Sequence, residues 1–304
     1  MGKIAVVFPG QGSQSLGMGK DFYEQFSKAK AIIDSADTLL GFNLKDLLFN
    51  GPVETLGMTE NTQPAILCVS IAILEVLKEK GLVFQAAAGH SLGEYSAYTA
   101  AGKIQFQDAL KLVRERGLLM SNADPEKKGG MAAVMRMDDQ VLVDICAKYS
   151  EVVPANFNCP GQIVISGNKE QLVLVYQEID AAKGKAMPLN VSGPFHSPLM
   201  KKAAEEFKKT LSGIEFKKSL IPVYANVSAS PVEEGKEKES LTAQISSSVR
   251  WTETIQNMIK DGFDTFIEIG NGKVLQGLIK KIDKTVKIYG VEKPEDIEKL
   301  DILK

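Results

Sequence analysis

Apolar residues fall along this chain in two rhythms: unbroken runs, and stretches where an apolar side chain returns every third or fourth position. Lys3–Phe8 is a continuous apolar run, which predicts a strand in a sheet covered on both faces. The helical rhythm predicts helices over 18–26 and 28–40. Residues 42–58 are interrupted by Gly51-Pro52 and Gly57, so short helices and turns are expected there. A long helix is predicted over 62–80, with Pro64 in its first turn and Gly81 closing it. An extended apolar run over 82–88 is followed by helices over 94–101 and 104–122.

The pattern changes at 124–130, a charged segment ending in two glycines. Beyond it the chain predicts a strand over 131–135, a helix over 138–149, strands over 152–156 and 162–166, a helix over 169–183 and a strand over 186–190. That βαββαβ order is the ferredoxin-like arrangement, and about sixty residues suit a small inserted unit. Residues 191–200 hold two prolines and a glycine and read as a rigid loop. Ser197 is placed to cap a helix from Pro198 to 211. A strand over 220–224, a charged surface loop over 232–239 and helices over 241–247 and 252–260 come next. A strand over Phe263–Ile269, the turn Gly270-Asn271-Gly272, a helix over 273–282, a strand over 286–291 and a polar tail complete the chain. Alternating strands and helices make this an α/β protein with a parallel sheet. The expected division is a core of 1–125 and 193–304 with a small subdomain of 126–192.

Length and composition narrow the class. A chain of 304 residues suits one large domain with an insertion. A formal charge of −2 gives no reason to expect nucleic acid as a partner. The first residues lack a charged segment followed by an apolar one, so no signal peptide is expected. The longest apolar run, 65–77, is broken by Ser70 and Glu75 and is short for a bilayer, so it reads as a buried helix and no membrane partner is expected. Cys68, Cys146 and Cys159 are odd in number and widely spaced. They fit neither a disulfide framework nor a metal site, and read as reduced thiols of a cytoplasmic protein.

Candidate chemistry centres on Gly89-His90-Ser91-Leu92-Gly93. An extended run leads into this Gly-x-Ser-x-Gly segment and a helical run leads out, the context a nucleophile elbow requires. Ser91 would stand at the turn, with the following helix aiming its positive end at the reacting centre. A serine hydroxyl needs a base, and histidine is the usual one near neutral pH. The chain has two histidines. His90 adjoins Ser91 inside the turn, where its side chain leaves in another direction and packs or hydrogen-bonds beneath the loop. His196, in the Pro-braced loop, is therefore the candidate base. No Asp or Glu stands in a comparable setting, so the group orienting His196 stays open and includes a backbone carbonyl. The Leu92 N–H is an oxyanion donor by analogy with elbow enzymes, and the Gln11 N–H in Pro9-Gly10-Gln11-Gly12-Ser13-Gln14 is a plausible second. That loop lacks the spacing of a dinucleotide fingerprint. On its helix, Arg116 alone reads as an ordinary solvated or paired arginine.

Gly10-Gln11-Gly12, Gly89-His90-Ser91-Leu92-Gly93-Glu94, Arg116-Gly117, Asn158-Cys159-Pro160-Gly161-Gln162, Gly193-Pro194-Phe195-His196-Ser197 and Glu268-Ile269-Gly270 occur together in this chain. The set resembles the malonyl-CoA:acyl carrier protein transacylases of type II fatty-acid synthesis over nearly the whole length. The resemblance implies an α/β-hydrolase-like core with a ferredoxin-like insertion. It implies that Ser91 carries the malonyl ester, that His196 is general base and then general acid, and that Gln11 and Leu92 form the oxyanion hole. Arg116 would hold the free carboxylate of malonate, and Gln63 and the Met120 region would line the acyl pocket. A main-chain carbonyl near Arg250 would orient His196. The partners implied are malonyl-CoA and acyl carrier protein, with no cofactor and no metal, in a monomer. Cys159 stands where relatives often have serine, and Ser248-Val249-Arg250 replaces a commoner Pro-Val-Gln. A trans-acting acyltransferase of a polyketide pathway and an acyl-thioester hydrolase with the same pair are the alternatives. Arg116 speaks against the hydrolase, since a simple acyl chain has nothing for it to bind. Lys201 and Lys202, close after His196, are candidates for docking an acidic carrier protein.

Overall fold

The computed structural model describes residues 2–219 and 221–303. Its strands are β1 (Lys3–Phe8), β2 (Ala86–Gly89), β3 (Gly129–Met135), β4 (Val152–Cys159), β5 (Gln162–Asn168), β6 (Lys185–Pro188), β7 (Val223–Tyr224), β8 (Phe263–Ile269) and β9 (Lys287–Val291). Five of them form one sheet in the order β7-β2-β1-β8-β9, with every neighbouring pair parallel. The apolar run of β1 is explained by burial on both faces. Val6 and Phe8 enter one apolar core while Ala5 and Val7 enter another on the opposite side. This is the two-residue alternation of a strand applied to two cores at once. Chain order reverses about β1, which pairs with β2 on one side and β8 on the other. The loops leaving β1 and β2 therefore open side by side at the C-terminal edge, where sheets of this kind bind ligands.

The larger core is built around the helix Thr59–Glu79. By length and composition it could cross a membrane, but 89% of its most apolar stretch is buried within the protein. It begins three residues before the expected start, so Pro64 lies inside it rather than in its first turn. Proline has no N–H to give the carbonyl four residues back, here that of Glu60. Arg114 Nη1 supplies the missing donor, at 2.7 Å from the Glu60 oxygen. Arg114 sits on the helix Phe106–Ser121, and Gly117 of that helix lets the two approach closely. A Cβ at Gly117 would lie 2.6 Å from the Glu60 Cα.

The remaining four strands form an antiparallel sheet in the order β4-β5-β3-β6. Helices Asp139–Cys146 and Lys169–Ala181 complete the βαββαβ order expected of that segment, and Asp138 and Asn168 cap them through their side chains. Elsewhere the boundaries move. The extended run at 82–88 pairs only from Ala86, because the Gln85 side chain takes the Ile4 N–H in place of a backbone carbonyl. The strand expected over 220–224 is Val223–Tyr224, and Leu220 lies outside the described residues. The charged loop ends early, with a helix starting at Glu237. Glu237 is buried there in an ion pair with Lys103, N to O 2.7 Å. The polar tail contains a 3₁₀ segment, Pro294–Leu303, at whose start Asp296 accepts the Glu292 and Lys293 N–H groups. It escaped the pattern because local polar bonds, not an apolar face, support that start.

Candidate active site

Ser91 follows β2 in a turn that only glycine permits at either end. A Cβ at Gly89 would lie 1.9 Å from the Gly93 carbonyl carbon, and one at Gly93 would lie 2.1 Å from the Phe8 oxygen. Ser91 itself has φ of 50°, the left-handed region that costs an L-residue energy. Three hydrogen bonds hold it there. The Ser91 N–H donates to Asn226 Oδ1 at 2.7 Å, Asn226 Nδ2 donates to the Gly89 carbonyl at 2.7 Å, and Gln244 Nε2 donates to the Ser91 carbonyl at 2.9 Å. The helix Gly93–Ala100 starts directly beyond.

His196 meets Ser91 across the cleft, with Nε2 2.7 Å from Ser91 Oγ. Its Nδ1 lies 2.8 Å from the Gln244 carbonyl oxygen. A carbonyl only accepts, so Nδ1 carries the proton and Nε2 is free to accept from serine. The expected orienter, Arg250, is wrong. Its carbonyl accepts both the Thr254 N–H at 2.9 Å and Thr254 Oγ1 at 2.8 Å, closing the first turn of Trp251–Lys260. Gln244 instead lies in the last turn of Glu237–Ser246, where helix carbonyls have no partner within the helix. The His196 loop is braced as its prolines suggest. Ser197 Oγ donates to the Pro194 carbonyl at 2.7 Å and accepts the Leu199 N–H.

Burial and the nearby Arg116 charge push the His196 pKa down to about 3. A neutral imidazole is therefore available as base across the working pH range. An unfolded chain protonates its histidines at about pH 6.5, whereas folded His196 does so only near 3. This contribution to stability is present above pH 6.5 and shrinks as pH falls from there towards 3. With two histidines in the chain, imidazole NMR can follow each. His196 is expected to stay neutral from pH 7.5 to about 5, and Arg116→Ala is expected to raise its midpoint. A wild-type midpoint near 6.5 would contradict the electrostatic account.

His90 turns away from the pair, as expected. Its Nε2 lies 2.8 Å from Asn158 Oδ1 and its ring meets Trp251 edge-on at 5.7 Å. Gln11 and Leu92 line the same cavity, of about 240 Å³, as Ser91 and His196. Among the described residues, neither of their N–H groups donates to a protein acceptor. Gly10 brings the first loop against the second, since a Cβ there would lie 2.5 Å from the His90 oxygen. Ser13 Oγ donating to the Gly10 carbonyl at 2.8 Å and Gly12 N–H donating to Gln14 Oε1 at 2.7 Å hold its shape.

Arg116 is buried at 1% exposure in the floor of this cavity. Nη1 donates to Gln63 Oε1 at 2.8 Å, and Nη2 donates to Ser91 Oγ at 3.1 Å and to Gln244 Oε1 at 2.9 Å. Gln63 Nε2 in turn contacts Met120 Sδ at 3.7 Å. Among the described residues no carboxylate lies within 4.0 Å of the guanidinium, and its Nε has no partner. A buried cation held by two neutral amides, a hydroxyl and the Tyr95 ring leaves charge uncompensated. The charge of Glu94 bears on Arg116, and burial pushes that carboxyl up to about 7. Gln11, Gln63, Ser91, Leu92, Arg116, Met120 and His196 thus share one cavity, and Arg250 stands apart from them. Asn226 and Gln244 were missed. Neither has a local motif, and only a free carbonyl at a helix end would have pointed to Gln244.

A model of the acyl transferase domain family matches residues 5–297. The malonyl CoA-acyl carrier protein transacylase of Bacillus subtilis is 49% identical over 98% of this chain and 96% of its own. A crystal structure named as the malonyl CoA-acyl carrier protein transacylase of Clostridium perfringens superposes with a TM-score of 0.96 at 41% identity, covering 99% of this chain and 97% of that one. A malonyl-transacylase solved in complex with the acyl carrier protein of a type II polyketide synthase also gives a TM-score of 0.96, at 40% identity over 99% and 100% of the two chains.

Proposed function

This chain belongs to the acyl transferase domain family, and from that premise we propose that it transfers malonyl from malonyl-CoA to the phosphopantetheine thiol of acyl carrier protein through a malonyl ester on Ser91. The observation that carries the reading is Arg116, a buried cation lacking a carboxylate partner and 3.1 Å from the Ser91 hydroxyl. The free carboxylate of a malonyl group supplies the missing charge, and a guanidinium fork binds it through two parallel bonds.

His196 Nε2 takes the Ser91 proton as Oγ attacks the thioester carbonyl. The Gln11 and Leu92 N–H groups receive the developing oxyanion. The intermediate collapses, the C–S bond breaks, and His196 returns the proton to the departing CoA thiolate. The carrier-protein thiol then repeats these steps in reverse, giving its proton to His196 and leaving Ser91 free. Gln63 holds Arg116 and is itself contacted by Met120, and both line the cavity that would take the acyl group. Lys201 and Lys202 are exposed just beyond His196 and suit the docking of an acidic carrier protein.

We assign 1–125 and 193–304 to the catalytic core and 126–192 to the small subdomain, because Gly129–Met135 to Lys185–Pro188 make a sheet of their own. Three free, buried cysteines support a reducing, cytoplasmic setting. Type II fatty-acid synthesis is the reading that follows from the resemblance, and the relatives' names give its malonyl CoA and acyl carrier protein. The carrier-protein complex of a similar chain keeps polyketide supply as the second reading.

The test is partition of the acyl-enzyme. Given malonyl-CoA alone, the protein should release about one equivalent of CoA and then nearly stop, and adding carrier protein should restart release with formation of malonyl carrier protein. Continuous CoA release into free malonate without carrier protein would make it a hydrolase.

A further inference from the structure

The Glu94 carboxyl is fully buried, and its hydrogen bonds go to none of Ser91, His196 and Arg116. Its Oε2 accepts the Asn226 N–H at 2.9 Å and Gln244 Nε2 at 2.8 Å. Those are the two residues that hold the Ser91 turn, through the Ser91 N–H and the Ser91 carbonyl. Gln244 does more: its side-chain oxygen accepts from Arg116 and its main-chain oxygen accepts from His196. An amide side chain has two nearly symmetric ends, and which one faces Arg116 depends on its other partners. Oε2 accepts from both neighbours, and a proton on the unpartnered Oε1 leaves it an acceptor, so Glu94 selects the NH₂ end of Gln244 and turns the oxygen towards the guanidinium.

We propose that Glu94 is a positioning residue for acyl selection, fixing Gln244 so that Arg116 presents its fork to the acyl carboxylate beside Ser91. The proposal rests on the malonyl-transfer reading. Without the Glu94 acceptor, Gln244 is free to flip or rotate, and Arg116 loses one of the neutral partners that aim it. The loss then falls on acyl groups bearing a carboxylate and largely spares those without one. A residue that merely filled space would lower both alike.

The experiment compares kcat/KM for malonyl-CoA and acetyl-CoA in wild type, Glu94→Ala and Glu94→Gln. Glutamine keeps an oxygen able to accept both bonds, so it should keep the malonyl-to-acetyl ratio within about threefold of wild type, whereas alanine should lower the ratio about tenfold or more. If Glu94→Ala is recovered unfolded, Glu94→Asp carries the same reading, because it withdraws the carboxylate from Gln244 by one methylene and should lower the ratio likewise. An unchanged ratio in the folded alanine or aspartate variant, or equal losses in alanine and glutamine variants, would overturn the proposal. Wild type that accepts no malonyl would instead overturn the reading on which it rests.

Discussion

Ser91→Ala is expected to abolish the acyl-enzyme. Among the described residues, Ser91 Oγ is the hydroxyl hydrogen-bonded to His196 Nε2, at 2.7 Å. The three cysteines are no substitute, since all are buried and burial raises the pKa of each thiol. His196→Ala keeps the hydroxyl but leaves its proton without an acceptor. Turnover should fall by about three orders of magnitude or more, and adding the serine substitution should cost little further because the two act as a unit. The variants should remain folded, since the turn is held by Asn226 and Gln244 through main-chain atoms of residue 91 that alanine retains. Covalent malonyl on the Ser91→Ala protein would refute the assignment.

Arg116→Ala should lower kcat/KM for malonyl-CoA about a hundredfold or more. Each hydrogen bond to a charged group is worth roughly 1.5–3 kcal/mol. Two such bonds lost, at 1.4 kcal/mol per tenfold, give about that factor. Acetyl-CoA has no carboxylate to pair, so its use should hold level or rise once the uncompensated cation is gone. Arg116→Lys should recover only part of the loss, because an ammonium cannot reproduce the fork. The contact of Nη2 with Ser91 Oγ at 3.1 Å is why the acyl ratio is the decisive readout. Loss of that contact touches both substrates equally and cancels. A ratio unchanged by Arg116→Ala would make the arginine structural and remove the physical support for malonyl.

The elbow was legible because its requirements are local. Gly89 and Gly93 sit where any Cβ would strike backbone, and the strand before and helix after have their own apolar rhythms. The same holds for the His196 loop, where Ser197 and Pro198 announce a helix start. What was illegible depends on distant partners. Arg116 becomes a site residue only beside Gln63 and Gln244, 53 and 128 positions away, and its helix alone says nothing of them. Gln244 acts on His196 through a main-chain oxygen, which no side-chain pattern encodes. The resemblance points to a carbonyl near Arg250, but that oxygen is spent on Thr254, and Gln244, inside the helix expected over 241–247, supplies the contact instead. Pro64 misled the helix boundary because Arg114 relieves the carbonyl it orphans, a compensation visible only in three dimensions.

The most direct test is to mix the protein with malonyl-CoA, measure its intact mass, map the modified peptide, and then add carrier protein. The account predicts one malonyl group on the peptide containing Ser91, persisting in water and moving to the carrier-protein thiol when that is supplied. A malonyl group on another residue, or one that leaves as free malonate at the same rate with and without carrier protein, would contradict it.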